Sequence, residues 1–288
     1  MRELFLLVNI FFMAAPLLFM ILSATKTNDE FLTKPFALPG AFPKTMIENL
    51  KAVVSGKITF YGLGGETTQI SMFTPFFKMF FNTSVLTVLS LIGMLLAGLL
   101  FGYALGTKRF RGKTAVIFFV LIIQTVPFFG YITPMYLVTD RIGLNGRLLG
   151  VVPVYIAVSL PMAIILFHGF FKSFPKAVEE AALIDGCGEI RKFISIVVPL
   201  SASALVSLAV INFMGFWNEF AIANLMIGPV TNLRTINIGI MMSYSQVGVS
   251  YFYYAFMLLT LSAIPNFIFF TIFQRKIMKG VSLGAIKG

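Results

Sequence analysis

The sequence predicts an all-α polytopic membrane protein with six transmembrane helices and both termini in the cytoplasm. Three observations carry that reading. Of the 288 residues, 58% are hydrophobic and only 11% charged, whereas soluble domains carry about 25% charged residues. Apolar runs recur at residues 4–24, 76–106, 115–138, 148–171, 201–226 and 251–273, each able to cross a ~30 Å hydrocarbon core. The basic residues also sort by side. Arg2, Lys108, Arg109, Arg111, Lys113, Lys172, Lys176, Arg191, Lys192, Arg275, Lys276, Lys279 and Lys287 fall in segments assigned to the cytoplasm. The two short loops opposite hold only Arg141, Arg147 and Arg234, as the positive-inside bias requires.

A single transmembrane domain therefore uses the whole length. The net charge of +11 reads as loop charge at a membrane surface, not as nucleic-acid binding, since no basic stripe interleaved with aromatics lies on a polar surface. The chain has one cysteine, Cys187, and one histidine, His168. That excludes an internal disulfide and a Cys/His metal cluster. With no G-x-S-x-G either, an intramembrane enzyme has no support.

The elements follow in order. The first run is interrupted by Asn9 and leads into Ser23-Ala-Thr-Lys26 instead of a small-residue cleavage site, so an uncleaved first helix is expected. Residues 25–75 are the longest polar interval, with Pro35, Pro39, Pro43 and Tyr61-Gly-Leu-Gly-Gly65. They predict an extracytoplasmic loop containing short helices. Asn82-Thr-Ser84 matches a glycosylation sequon, but its place at a span entrance argues against use. In the second span Gly98, Gly102 and Gly106 recur every four residues. This is either a face for close helix approach or plain glycine tolerance in a membrane helix. Gly112-Lys113-Thr114 has the ending of a phosphate-binding loop, yet Gly106 is one residue too far upstream and no strand precedes it, so ATP binding through it is excluded.

The third span carries Gln124, Pro127 and Pro134, and the fourth Pro153 and Pro161, around a short outer loop at 140–147. The fifth ends in Trp217, Asn218 and Glu219, and 228–250 is expected to be an outer loop. A basic tail, 274–288, follows the sixth. An ionisable group at membrane depth is a functional-site candidate. Glu219, with Gln124, Asn212 and Asn218, defines a candidate substrate pathway offering donors and acceptors. The alternative is that Glu219 lies at the outer interface or caps a broken helix.

The interval 172–199 is unlike the rest. Pro175 suits the first turn of a helix. Glu179 and Glu180 then face the positive end of its dipole. Val178, Ala181, Ala182 and Asp185 share one small-residue face. Gly186 and Gly188 can end the helix; a second amphipathic piece runs over 189–198, and Pro199 stops or kinks it. The sum is a cytoplasmic helix–hinge–helix knob. Two glutamates argue against its lying on an anionic membrane surface.

Glu180-Ala-Ala-x-x-Asp-Gly186, with Phe193, Ile196 and Pro199, resembles the EAA signature of membrane subunits of ATP-binding-cassette importers. Cys187 stands where alanine is usual there, and Ser203 where a second proline is common. Ser23-Ala-Thr-Lys-Thr-Asn-Asp-Glu30, Asn49, Trp217-Asn-Glu-Phe220, Gln274-Arg275, Gly280 and Gly284-Ala-Ile-Lys-Gly288 are similar to the carbohydrate-uptake branch, in particular the maltose-type second permease. The resemblance spans nearly the whole chain and implies the type I importer permease fold. It implies a subunit forming half of a translocation pathway for a sugar or oligosaccharide, working by alternating access. The partners implied are a second homologous permease, two copies of an ATP-binding subunit, an extracytoplasmic solute-binding protein and the lipid bilayer of a bacterial or archaeal cytoplasmic membrane. ATP and Mg would sit on the partner subunits, with no cofactor on this chain. By the same resemblance Glu179, Glu180, Ala181, Ala182, Asp185, Gly186 and Pro199 belong to the ATPase-coupling loop. Glu180 would pair with a basic group of the ATPase, and Gln274, Arg275 and Lys287 would touch it from the tail. A self-contained secondary transporter is the competing class. It would need inverted repeats and paired midplane charges, and Glu219 has no basic intramembrane partner in the sequence.

Overall fold

Helices run through the long apolar segments, even across Pro153 and Pro161, and end at glycines, polar caps or some prolines. The computed structural model describes residues 2–61, 67–71, 73–174, 186–244 and 251–285. In chain order these are α1 (Arg2–Ala24), α2 (Asn28–Thr33), α3 (Lys44–Ser55), β1 (Lys57–Tyr61), β2 (Thr67–Ser71), α4 (Phe76–Thr107), α5 (Lys113–Ile123), α6 (Phe128–Arg141) and α7 (Leu148–Lys172). Next come α8 (Glu189–Lys192), a π turn (Phe193–Val197), α9 (Val198–Leu200), α10 (Ala202–Trp217), α11 (Ala221–Ile227), α12 (Ile236–Tyr244) and α13 (Phe252–Ala285).

Four stretches are single helices long and apolar enough to span a membrane: Phe5–Ala24, Phe76–Thr107, Leu148–Lys172 and Phe252–Gln274. Two further candidates are bent pairs: α5 with α6, at 103°, and Glu189–Leu200 with α10, at 69°.

Four departures from the sequence expectation appear, and the first two have local causes. The all-α expectation is corrected by one antiparallel hairpin, β1 on β2, pairing Lys57 with Ser71 through Tyr61 with Thr67. Both strands are rich in β-branched and aromatic residues and flank glycines, which favours extended pairing. The run 115–138 is not one helix. Pro127 has no N–H to donate and disfavours helical backbone at Val126, so α5 closes before it and α6 restarts after it. The run 201–226 likewise divides at Asn218–Phe220, and the expected outer loop 228–250 contains α12.

The chain forms two compact units, one made of the residues up to Ser84 with Glu219–Phe267, the other of Val85–Asn218 with the residues from Ile268. In the first, polar side chains fasten the end of α1. Lys26 is buried, and its Nζ donates to the carbonyls of Lys34 (3.2 Å) and Pro35 (2.5 Å). Asn49 Nδ2 donates to the carbonyls of Ala24 and Lys26, both at 2.9 Å, and Thr45 Oγ1 to that of Thr25 at 2.6 Å. Asn82 is buried here too. Its amide donates at 3.0 Å to the carbonyls of Asn232 and Arg234, a structural role for the sequon asparagine.

In the second unit the glycine ladder of α4 lies on α7. A Cβ on Gly98 would stand 2.7 Å from Ala163 Cβ. One on Gly102 would overlap Phe167 Cβ, and one on Gly106 would overlap Phe171 Cβ. The three partners advance by four as the glycines do, so α4 and α7 run parallel. Of the two readings of these glycines, the structure shows close approach.

Candidate functional site

From Gly186 onward the described chain continues in the second unit. Gly186 has φ +68°, a conformation that costs an L-residue but not glycine. Gly188 is extended and starts α8. Glu189 Oε2 then accepts from Lys108 Nζ at 2.8 Å, just past the end of α4. Glu189 Oε1 accepts from Lys192 Nζ at 2.9 Å. Lys108 lies 5.9 Å from the Tyr103 ring centroid, within cation–π range. Hydrogen bonds from Lys108 first and Lys192 second hold the Glu189 carboxyl below its usual range.

The arm continues into an apolar cluster. Val197 is buried with Leu99 and Tyr103 of α4, Phe167 and Phe171 of α7, and Leu208 of α10. Phe193 packs against the same cluster, its ring 5.5 Å from that of Tyr103. Phe193 and Val197 reach it from a π turn, in which Val198 N–H donates five residues back to Phe193 O. Such wide turns concentrate at functional sites. Pro199 follows on the exposed side, but the bend itself sits at Ser201. Ser201 is fully buried; its Oγ donates to Val197 O at 2.7 Å and its carbonyl accepts from Leu205 N–H at 2.9 Å. The arm Glu189–Leu200 is thus fixed to α4, α7 and α10 by an ion triad at one end and a buried corner at the other.

Sequence reasoning found Gly186 and Pro199 here; Glu179, Glu180, Ala181, Ala182 and Asp185 lie outside the described residues. It missed Lys108, Tyr103 and Lys192 as parts of this site. The Glu189–Lys192 pair was visible as an i, i+3 spacing. Lys108 lies 81 residues from its partner and carried no such signal. Because Lys192 is buried and Glu189 exposed, Glu189→Gln is expected to destabilise the solubilised protein more than Lys108→Gln, as a buried cation then loses its carboxylate. Lys192→Met added to Glu189→Gln should restore most of the melting temperature. Equal losses for the two single variants would refute this. The sign with pH is fixed as well. A depressed carboxyl stabilises above its ordinary value near 4.5 and stops doing so as pH falls through its folded-state value. The triad should therefore be indifferent to pH between 6 and 8.

Three of the four candidate pathway residues bond to backbone close by in the chain. Glu219 caps α11: Oε1 accepts from Ile222 N–H at 2.7 Å and Oε2 from Ala223 N–H at 3.1 Å. This is the second of the two roles left open for it. Glu219→Ala should cost about 0.5–2 kcal/mol, the usual worth of a helix cap, and Glu219→Gln less, read from thermal melts. Asn212 and Asn218 turn their amides back onto Leu208 O (2.9 Å) and Met214 O (2.8 Å). Gln124 lines a concavity between α5, α6 and α7 with Tyr131, Thr139, Pro153 and Pro161, and neither Asn212 nor Asn218 contributes to its walls. In the tail, Gln274 Nε2 donates to Thr271 O at 3.2 Å. The Arg275 side chain and Lys287 lie outside the described residues.

Comparison with known proteins places this arrangement. Residues 98–279 match the family described as "Binding-protein-dependent transport system inner membrane component". The diacetylchitobiose uptake system permease protein NgcG of Streptomyces coelicolor is 28% identical over 274 residues, covering 94% of this chain and 83% of that protein. A putative ABC transporter permease protein of Streptomyces antibioticus is 32% identical over 193 residues, covering 64% of this chain and 80% of that protein. The probable starch degradation products transport system permease protein AmyC of Thermoanaerobacterium thermosulfurigenes is 26% identical, covering 95% and 91%. A solved bacterial ABC transporter involved in the import of the acidic polysaccharide alginate contains a chain of like fold, with TM-score 0.75 and 17% identity over 95% of this chain and 94% of that one.

Proposed function

We propose, on the premise that this chain belongs to the family of binding-protein-dependent transport system inner membrane components, that it is the half of an importer through which ATPase motion enters the membrane. The observation that carries this is the arm Glu189–Leu200, anchored at once to α4, α7 and α10. A push on the knob has no slack to absorb it, so it moves those helices.

On this reading the chain crosses the membrane six times, with both termini and 172–199 in the cytoplasm, 25–75 outside and 274–288 in the cytoplasm. The parallel course of α4 and α7 supports it, because two parallel helices need a return crossing between them, which the bent α5–α6 pair supplies. The chain pairs with a second, related permease, and two copies of an ATP-binding subunit carry ATP and Mg. An extracytoplasmic binding protein delivers the cargo, and no cofactor sits on this chain. The membrane is a bacterial or archaeal cytoplasmic membrane. The cargo is a sugar or oligosaccharide, as the names of the diacetylchitobiose and starch-product relatives suggest. Glu180 and its neighbours make the ATPase contact, joined by Gln274, Arg275 and Lys287 of the tail, and Gln124, Asn212, Asn218 and Glu219 lie along the pathway.

Reconstitution tests this. The purified chain alone should neither hydrolyse ATP nor take up solute, and ATP-dependent uptake should appear only when both permeases, the ATPase and the binding protein are combined. Uptake by the lone chain, driven by an ion gradient, would overturn the reading.

A further inference from the structure

Residues 28–43 expose four large apolar side chains in a short stretch: Leu32 at 64%, Phe36 at 87%, Leu38 at 79% and Phe42 at 60%. The stretch is nonetheless held in place. The Thr27–Glu30 capping box closes the start of α2, and Glu30 Oε1 accepts from Gly40 N–H at 3.0 Å. The buried Lys26 ammonium grips the carbonyls of Lys34 and Pro35. A fixed display of bare hydrocarbon is an interaction surface.

Its depth says what it meets. The Phe36 ring lies 5.4 Å from that of Phe19, which is five residues inside the end of α1. The Phe31 ring lies 4.8 Å from Phe252 and 5.1 Å from Phe256, and Phe256 is four residues inside the start of α13. At 1.5 Å per residue both place the segment roughly 6–8 Å inward from the helix ends. That is the depth, about 5–10 Å, at which interfacial segments rest between headgroups and acyl chains. The exposed side chains also continue the bare face of α1, whose Leu17, Leu18 and Ile21 are exposed. Lys34, between Leu32 and Phe36, and Lys44, just past Phe42, are both exposed and suit lipid phosphates.

We infer that residues 28–43 form an interfacial foot. The chain doubles back after α1 and seats Leu32, Phe36, Leu38 and Phe42 in the headgroup–acyl boundary of the bilayer. The foot fixes the height of α1 in the membrane, a role separate from coupling and pathway.

The lone native cysteine makes the test direct. In a Cys187→Ser background, Phe36→Cys and Leu38→Cys would each carry a nitroxide in the assembled transporter, reconstituted in phosphatidylethanolamine–phosphatidylglycerol vesicles. Phe12→Cys on α1 serves as the lipid reference and Lys51→Cys on α3 as the water reference. Collisions with dissolved oxygen should exceed those with a water-soluble nickel chelate at 36 and 38, as at 12, with the order reversed at 51. Chelate-dominated relaxation at 36 and 38 would show a water-facing surface and overturn the foot. Low access to both reagents would show that a protein partner covers it, and would overturn it equally. Neither result bears on ATP-dependent uptake.

Discussion

Gly186→Leu is expected to lower ATP-dependent uptake at least tenfold while the chain still inserts in the membrane. Gly186 sits at φ +68° with no atom within 4 Å of where a Cβ would stand. Leucine therefore meets no clash there; the penalty is backbone strain of about 1–2 kcal/mol. That is too little to unfold a bundle but enough to move the hinge into another conformation. The arm beyond it cannot follow, because Glu189 is tied to Lys108 and Val197 is buried in the apolar cluster. The change falls on the segment before Gly186, which would present the proposed ATPase contact at the wrong angle. Glu180→Lys should give the same phenotype by reversing the charge proposed to face the ATPase. Uptake in proteoliposomes, with insertion checked by protease accessibility, reads both. Normal uptake by both variants would remove this loop from coupling.

The second large effect lies in the membrane. Gly102→Ala should destabilise the protein by about 1–3 kcal/mol, the usual toll of overpacking, and Gly102→Leu should prevent stable accumulation. Even a methyl at 102 would overlap Phe167 Cβ and stand 3.1 Å from the His168 amide nitrogen. These are a Cβ and backbone, not the tip of a flexible side chain, so α4 and α7 must separate. Gly169→Ala is the control, since nothing lies within 4 Å of its Cβ position. It should be neutral or slightly stabilising, as alanine favours helix. Equal melting temperatures for the 102 and 169 alanine variants would show that the ladder carries no packing energy.

The helices were legible because lipid imposes a simple rule: backbone polar groups must pair within a segment. Long apolar runs such as 76–106 and 148–171 accordingly correspond to α4 and α7. Their adjacency was half legible, since the glycine repeat announced a close approach without naming Phe167 and Phe171 as partners. Breaks were harder. Pro127 ended a helix and Pro153 and Pro161 did not, because α7 carries both internally; the sequence of the run alone does not separate these outcomes. Glu219 was ambiguous for a related reason. A carboxylate near a broken helix reads the same from sequence whether it meets water, solute or the amides of Ile222 and Ala223. In the coupling interval the turn at Gly186 and the Glu189–Lys192 pair were readable, being local. The Lys108 anchor and the buried corner at Ser201 depend on tertiary contacts and were not.

The π turn at Phe193–Val197 has a genetic corollary. A wide turn holds one residue more than an α-helical path of the same span, so the aim of everything upstream is set by residue number more than by side-chain identity. Losing one codon there would let the turn relax to ordinary α geometry over the same span, with Glu189 still facing Lys108, whereas gaining one would rotate Glu189 by about 100° around the axis, away from Lys108. Point substitutions at exposed Ile194 or Ser195 and a single in-frame deletion there should be borne easily, whereas a single in-frame insertion should silence the subunit.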